Sequence, residues 1–258
     1  MTLFVIARST FNEAIRRRIL MVLLFFALAM IGGAFVFSNF LPTTQEKMVT
    51  DMGLSAIQLF GVVISIAMAI TMIPAEIDRR TIHTILSKPV SRRMYVLGKF
   101  LGGVATLGLM TVIMAVVFLA ALYFKGDHST GLIIEAVFLW FMEFTLLMGI
   151  AIFLSIVVSP MVNAFICICV LILGNLTAYI QYLKTFSTGS ASMVAITKTV
   201  FQWIYNLVPN FQNYDISQKV AQGQTVPANY AWIMFVWTVF YVAFLLLMTM
   251  HFFGEKEV

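Results

Sequence analysis

The sequence predicts an all-α polytopic membrane protein with six transmembrane helices. Three observations carry this reading: 61% of the 258 residues are hydrophobic, only 10% are charged, and the apolar residues gather into six runs of 22 to 27 residues. A soluble domain carries roughly 25% charged residues, whereas the mean hydropathy here is +0.98. A helix rising about 1.5 Å per residue needs roughly 20 residues to cross a hydrocarbon core of about 30 Å, so every run is long enough to span. A membrane barrel is excluded, because its strands alternate apolar and polar residues over about 10 positions. The longest stretch outside the runs has 46 residues. A separate soluble domain needs at least about 50, so residues 1–258 are read as one transmembrane domain.

Residues 1–18 come first. Phe4, Ala7, Phe11, Ala14 and Ile15 recur at intervals of three and four, with Ser9, Asn12, Glu13, Arg16 and Arg17 on the other side. That pattern predicts an amphipathic elbow helix in the headgroup layer, turning at Arg18 into the first span. Spans are expected at 19–40, 54–75, 100–124, 132–158, 161–183 and 230–253. Ala27, Leu28 and Ala29 resemble a leader cleavage site, but the apolar run continues to Phe40, too long for a signal peptide.

The loops 41–53 and 125–131 are short. Between the fourth and fifth runs only Ser159 and Pro160 remain, a pair suited to an N-cap and a first helical position, so a tight hairpin is expected. The segment 184–229 opens with Ser187, Thr188, Gly189 and Ser190, then carries Met193, Ile196, Val200, Trp203, Ile204 and Leu207 on one helical face up to Pro209. A second amphipathic helix follows from this spacing. Periodicity leaves open whether it lies in the interface or packs on its own protein. Cys167 and Cys169 are two apart on a helix and point to different sides, which suits packing rather than a disulfide or a metal clip.

The net charge is +5, and position decides its meaning. With the N-terminus in the cytoplasm, eleven basic residues fall inside against five outside, and all eight arginines are inside. The charge is therefore a topology signal and an anionic-lipid contact, not a nucleic-acid surface, and both termini are expected in the cytoplasm.

The cytoplasmic stretch 76–93 is the most informative. Glu76 and Asp78 at its start and Lys88 near its end complement a helix dipole, Ile82, Ile85 and Leu86 form an apolar patch, and Pro89 stops the helix. Ser91 then offers an N-cap for the third span. A short bounded helix with a charged face and an apolar knob has the layout needed to pass motion from a soluble partner to the bundle. Composition alone favours an ordinary charged loop that satisfies the positive-inside rule.

Glu76, then Thr81, Ile82, Ile85, Leu86, Ser87, Lys88, Pro89, Val90, Ser91, Arg92, Tyr95, Gly98 and Lys99, resemble the E…T-I-x-x-I-L-S-K-P-V-S-R…Y…G-K signature of ABC-2 type transporter permeases. Val208, Pro209, Asn210 and Phe211 are similar to the outer segment of that family. Arg80 stands where many members have Gly. The resemblance implies that 76–90 is a coupling helix docking into a groove of a separate cytoplasmic ATPase. Ile82, Ile85 and Leu86 would fill that groove, with Glu76, Asp78, Arg79, Arg80, Thr81, Lys88 and Pro89 around it. It also implies two ATPase copies that bind ATP and Mg, and a second permease copy or a related one. A bacterial cytoplasmic membrane, lipid contacts and room for an outer accessory subunit follow as well.

The chain itself has no G-x-x-x-x-G-K-[ST] phosphate loop and so is expected to be no enzyme and to hold no cofactor. The motif from Gly98 to Gly102 suits close helix approach. Glu135 and Glu143 lie in the fourth run, where carboxylates are costly. Glu135 is near the outer end and within reach of Lys125, whereas Glu143 is near the midplane, either a structural carboxyl or a proton or substrate contact. The 17 methionines lack a repeated short spacing and read as packing filler rather than copper ligands. His83, His128 and His251 stand alone, against a zinc site or a hydrolase.

The function expected is the permease of an ATP-driven exporter, with aromatic and aliphatic spans leaning toward lipidic or amphiphilic cargo. The alternatives are an assembly scaffold, or a secondary carrier or channel, which would want several buried ionisable groups and paired broken helices.

Overall fold

A computed structural model of the chain describes residues 2–38, 45–72, 91–124, 130–175, 209–217, 227 and 229–255. These form α1 (Thr2–Ile15), α2 (Arg18–Ser38), α3 (Gln45–Met72), α4 (Arg92–Tyr123), α5 (Thr130–Val157), α6 (Pro160–Asn175), a 3-10 turn (Phe211–Tyr214) and α7 (Tyr230–Glu255). Five of them, α2, α3, α4, α5 and α7, are long and apolar enough to cross a membrane. Six spans were expected. The fifth expected span is described only as α6, whose 16 residues reach about 24 Å, and 176–183 lie outside the described residues. The expected coupling helix and the helix around Met193 to Leu207 lie outside them too.

Helices are the form that satisfies every backbone polar group without water. Several buried hydroxyls inside them are satisfied in the same way. Thr106 donates to the Gly102 carbonyl at 2.9 Å, Thr145 to Phe141 at 2.8 Å, Ser155 to Ile152 at 2.7 Å and Thr249 to Leu245 at 2.7 Å. Bonded to their own helix, these buried hydroxyls need no partner on a neighbouring one.

Helix α5 is the centre. It packs against α3, α4, α6, α7 and the 3-10 turn, and 72% of its span is buried against 22% for α2. The hairpin to α6 forms as expected, with Pro160 the first helical residue and the Asn163 amide donating to the Ser159 carbonyl at 2.9 Å. Asn163 also donates its side-chain amide to the Ala151 carbonyl at 2.8 Å and accepts from the Cys167 thiol at 3.3 Å, which fixes both helices at the turn.

Helix α4 begins at Arg92, eight residues before the expected span. Ser91 caps it by accepting from the Met94 amide. Its 32 residues cover about 48 Å, more than the hydrocarbon core, so its first turns project past one membrane face. The six described arginines, Arg8, Arg16, Arg17, Arg18, Arg92 and Arg93, all lie at that end of the bundle, hereafter the basic end. Tyr95 is stacked there on Phe253 at 6.0 Å, closing the end of α7 onto the start of α4.

The N-terminal helix forms, and only part of its expected apolar face packs against α4. Thr10 and Ala14 are buried, whereas Phe4 is 71% exposed. The reason is the partner surface. A Cβ on Gly98 would come within 2.7 Å of the Ile6 side chain, and one on Gly102 within 2.6 Å of the Ala7 carbonyl. Two glycines one turn apart let the backbones touch, and the small stripe Ala7, Thr10 and Ala14 fits that approach better than Phe4 does. The small-residue motif thus packs α1 within the chain.

Candidate functional site

At the basic end, α1 and the turn that follows it are tied to both helices that flank residues 73–90. Glu13 Oε1 accepts from Arg17 Nη2 at 2.8 Å, and its Oε2 lies 3.7 Å from Lys99 Nζ on α4. Arg17 Nη1 donates to Thr71 Oγ1, one residue before the end of α3. Thr71 passes the bond on to the Ala67 carbonyl at 2.8 Å. Lys99 is buried, and its Nζ sits 5.9 Å from the Tyr95 ring centroid. Burial pushes the Glu13 carboxyl up, but the Arg17 hydrogen bond and the Lys99 and Arg17 charges outweigh it and hold the group below its ordinary value. A displacement of α3 or α4 at this end is therefore felt by α1 through charge-assisted bonds.

Each expected coupling residue, Glu76, Asp78, Arg79, Arg80, Thr81, Ile82, Ile85, Leu86, Lys88 and Pro89, lies outside the described residues. What the structure describes is their two attachment points, Met72 and Ser91.

The second site is inside the bundle. Glu143 lies at the middle of α5, is 0% exposed, and has both carboxyl oxygens without a hydrogen-bond partner among the described residues. The indole N–H of Trp140, one turn earlier, is likewise buried and unpaired. Gln58 of α3 faces Glu143, and Asp215 and Tyr214 from the far-end segment are close enough to act on it electrostatically. Glu135 does not join them. It is half-buried near the start of α5, and eight residues of helix separate it from Glu143 by about 12 Å.

The far-end segment reaches this depth because it is packed into the helices. Phe211 is fully buried against Gly174 of α6, where a Cβ would also meet the Pro209 carbonyl at 2.7 Å. Asn210 caps the 3-10 turn by accepting from the Gln212 amide at 3.1 Å. The Tyr214 hydroxyl shares a buried 2.8 Å hydrogen bond with Thr238, two turns into α7, and Tyr230 donates to the Asn213 carbonyl at 2.6 Å. Asp215 Oδ1 accepts from the Ser217 amide at 2.9 Å and from its hydroxyl. Burial is the main influence raising the Tyr214 hydroxyl above its ordinary value, so it stays a neutral donor.

Toward the same end, α4 and α5 leave a groove of about 330 Å³ lined by Gly108, Ala115 and Leu119 on one side and Ile133, Val137 and Phe141 on the other. Among the described residues, no group of three or more His, Cys, Asp or Glu is placed to hold a metal ion.

Sequence reading missed Gln58, Trp140, Tyr214, Asp215 and the role of Glu13. The spacing of Glu13 and Arg17 was a legible signal for an i, i+4 ion pair. Nothing local in the sequence brings Tyr214 to Thr238.

A family model described as ABC-2 family transporter protein matches residues 4–258. No curated protein matches the chain. Members of the matched family are non-catalytic permeases lacking nucleotide-binding motifs.

Proposed function

The chain belongs to the ABC-2 transporter family, and from that premise we propose that it is the membrane-spanning subunit of an ATP-driven exporter in a bacterial cytoplasmic membrane. A separate cytoplasmic ATPase, in two copies, docks on the segment 76–90 and binds the ATP and Mg. The permease acts as a pair, of two copies of this chain or of this chain and a related one. Both termini and the basic end face the cytoplasm, which the arginine distribution supports.

One observation carries the mechanism: the bonds Glu13–Lys99 and Arg17–Thr71 join α1, α3 and α4 around the attachment points of 76–90. When the ATPase dimer closes and pushes that segment, the three helices move as one body rather than as a loose loop. Helix α5, packed against α3 and α4, receives the displacement at the centre of the bundle.

The groove between α4 and α5 supports a lipidic or amphiphilic cargo. From Gly108 to Leu119 it runs eleven residues, about 16 Å, which is half of a 30 Å hydrocarbon core and the length of one acyl chain in one leaflet. The test is purification in mild detergent with identification of what co-migrates. A co-purifying subunit with a phosphate loop, and ATP hydrolysis stimulated by an apolar-tailed molecule, is expected. A chain that purifies without any ATPase and transports down an ion gradient would overturn the proposal in favour of a secondary carrier.

A further inference from the structure

Among the described residues, Glu143 is placed where no opposite charge faces it. Its carboxyl is fully enclosed at mid-depth, and among the described residues neither oxygen makes a well-formed hydrogen bond, the Gln58 side chain is the polar group near enough to favour its charge, and no basic side chain acts on it. A buried carboxyl without compensation takes up a proton rather than remain charged. The described elements packed on α5 supply the following. The far-end segment brings Asp215 and the Tyr214 hydroxyl, and α3 brings the neutral Gln58, with Asp51 two turns before it and Glu46 and Lys47 in the first turn of that helix. The membrane-embedded stretches of α4, α6 and α7 hold no Asp, Glu, Lys or Arg, their ionisable groups being Tyr123, Cys167, Cys169, Tyr230 and Tyr241, while Arg92, Arg93, Tyr95, Lys99, His251 and Glu255 sit at the basic end. Among the described residues, the charge that acts on Glu143 is thus a second acid, on a segment held to the helices by side-chain packing and a few hydrogen bonds.

We propose that Glu143 is a proton-binding site that latches the far-end segment Pro209–Ser217 into the bundle. With the proton bound, the segment sits as described, Phe211 under Gly174 and Tyr214 on Thr238. Loss of the proton to a water entering from the far end leaves a carboxylate facing Asp215, and like charges in a poorly solvated site repel. The segment is then expelled from the helices, and water reaches Glu143. Export through this end is in consequence linked to a proton, taken up when the segment closes. The latch does not depend on the ATPase docking at 76–90 and stands or falls separately from it.

The experiment uses the full chain in lipid vesicles, with Ile216→Cys as the reporter. Ile216 is 1% exposed in the latched state. Labelling by an impermeant thiol reagent from the far end is measured from pH 5 to pH 9 and divided by that of Gln212→Cys, exposed on the same segment, which removes the effect of pH on thiol reactivity. The ratio is expected to rise with pH, by up to about tenfold per unit while one proton is released, and to stay low and flat in Glu143→Gln. Asp215→Asn should flatten the rise with Glu143 intact, which keeps the test valid where Glu143→Gln inserts poorly. A ratio that does not change with pH in the parent, or rises equally in both variants, overturns the proposal.

Discussion

Gly102 of α4 and Thr10 of α1 approach so closely that a Cβ on the glycine would lie 2.6 Å from the Thr10 Cβ. No side chain larger than hydrogen fits without parting the two helices. Gly102→Leu is expected to lower stability by about 1 to 3 kcal/mol through overpacking and to free α1 from α4. Limited proteolysis near the N-terminus and thermal unfolding in detergent check it, and unchanged protection would show that α1 is held elsewhere.

The ion pairs of Glu13 carry a pH signature. Its carboxyl is held below the ordinary 4.5 in the folded chain, so its contribution is full above that value and is lost as pH falls through the lower folded one. Glu13→Gln should therefore destabilise the protein at neutral pH, with the gap to the parent closing below about pH 4. Melting temperatures of both proteins across this range decide it.

Among the described residues, the Tyr214 hydroxyl has one buried partner, Thr238. Removing it in Tyr214→Phe leaves Thr238 still donating to the Met234 carbonyl at 2.8 Å. The loss should be about 0.5 to 1.5 kcal/mol, read as faster labelling of a reporter cysteine at Ile216. Equal labelling would mean that Phe211 and the Tyr230–Asn213 bond anchor the segment without it.

Topology gives a fourth test. Ser87→Cys should resist an impermeant thiol reagent added to intact cells, while Thr43→Cys and Asp127→Cys react. Reaction at Ser87→Cys from outside would invert the bundle and remove the ATPase proposal with it.

The helices were legible because a membrane span is written in composition: an uninterrupted apolar run of the right length has one stable form in lipid. The caps were legible too, since Ser91 and Pro160 act through their own backbone neighbours. Rotation about the helix axis was not. Phe4 and Ala7 share an apolar stripe in sequence, and only the glycines 91 and more positions away decide which of them faces α4. Glu143 stood out as an intramembrane acid from its surroundings in the run. Its neighbours Gln58 and Asp215 arrive from elements 85 and 72 residues distant, and no local pattern encodes such meetings.

The most direct measurement concerns Leu86 and Ile82, the apolar patch assigned to the ATPase groove. Leu86→Ala and Ile82→Ala change no span, so both should insert as the parent does. Each should weaken ATPase association by an anchor of about 1 to 3 kcal/mol, roughly 5- to 150-fold in the dissociation constant, and uncouple transport from ATP hydrolysis. Variants that insert normally, hold the ATPase as tightly as the parent and transport at the parental rate would contradict the docking role of 76–90.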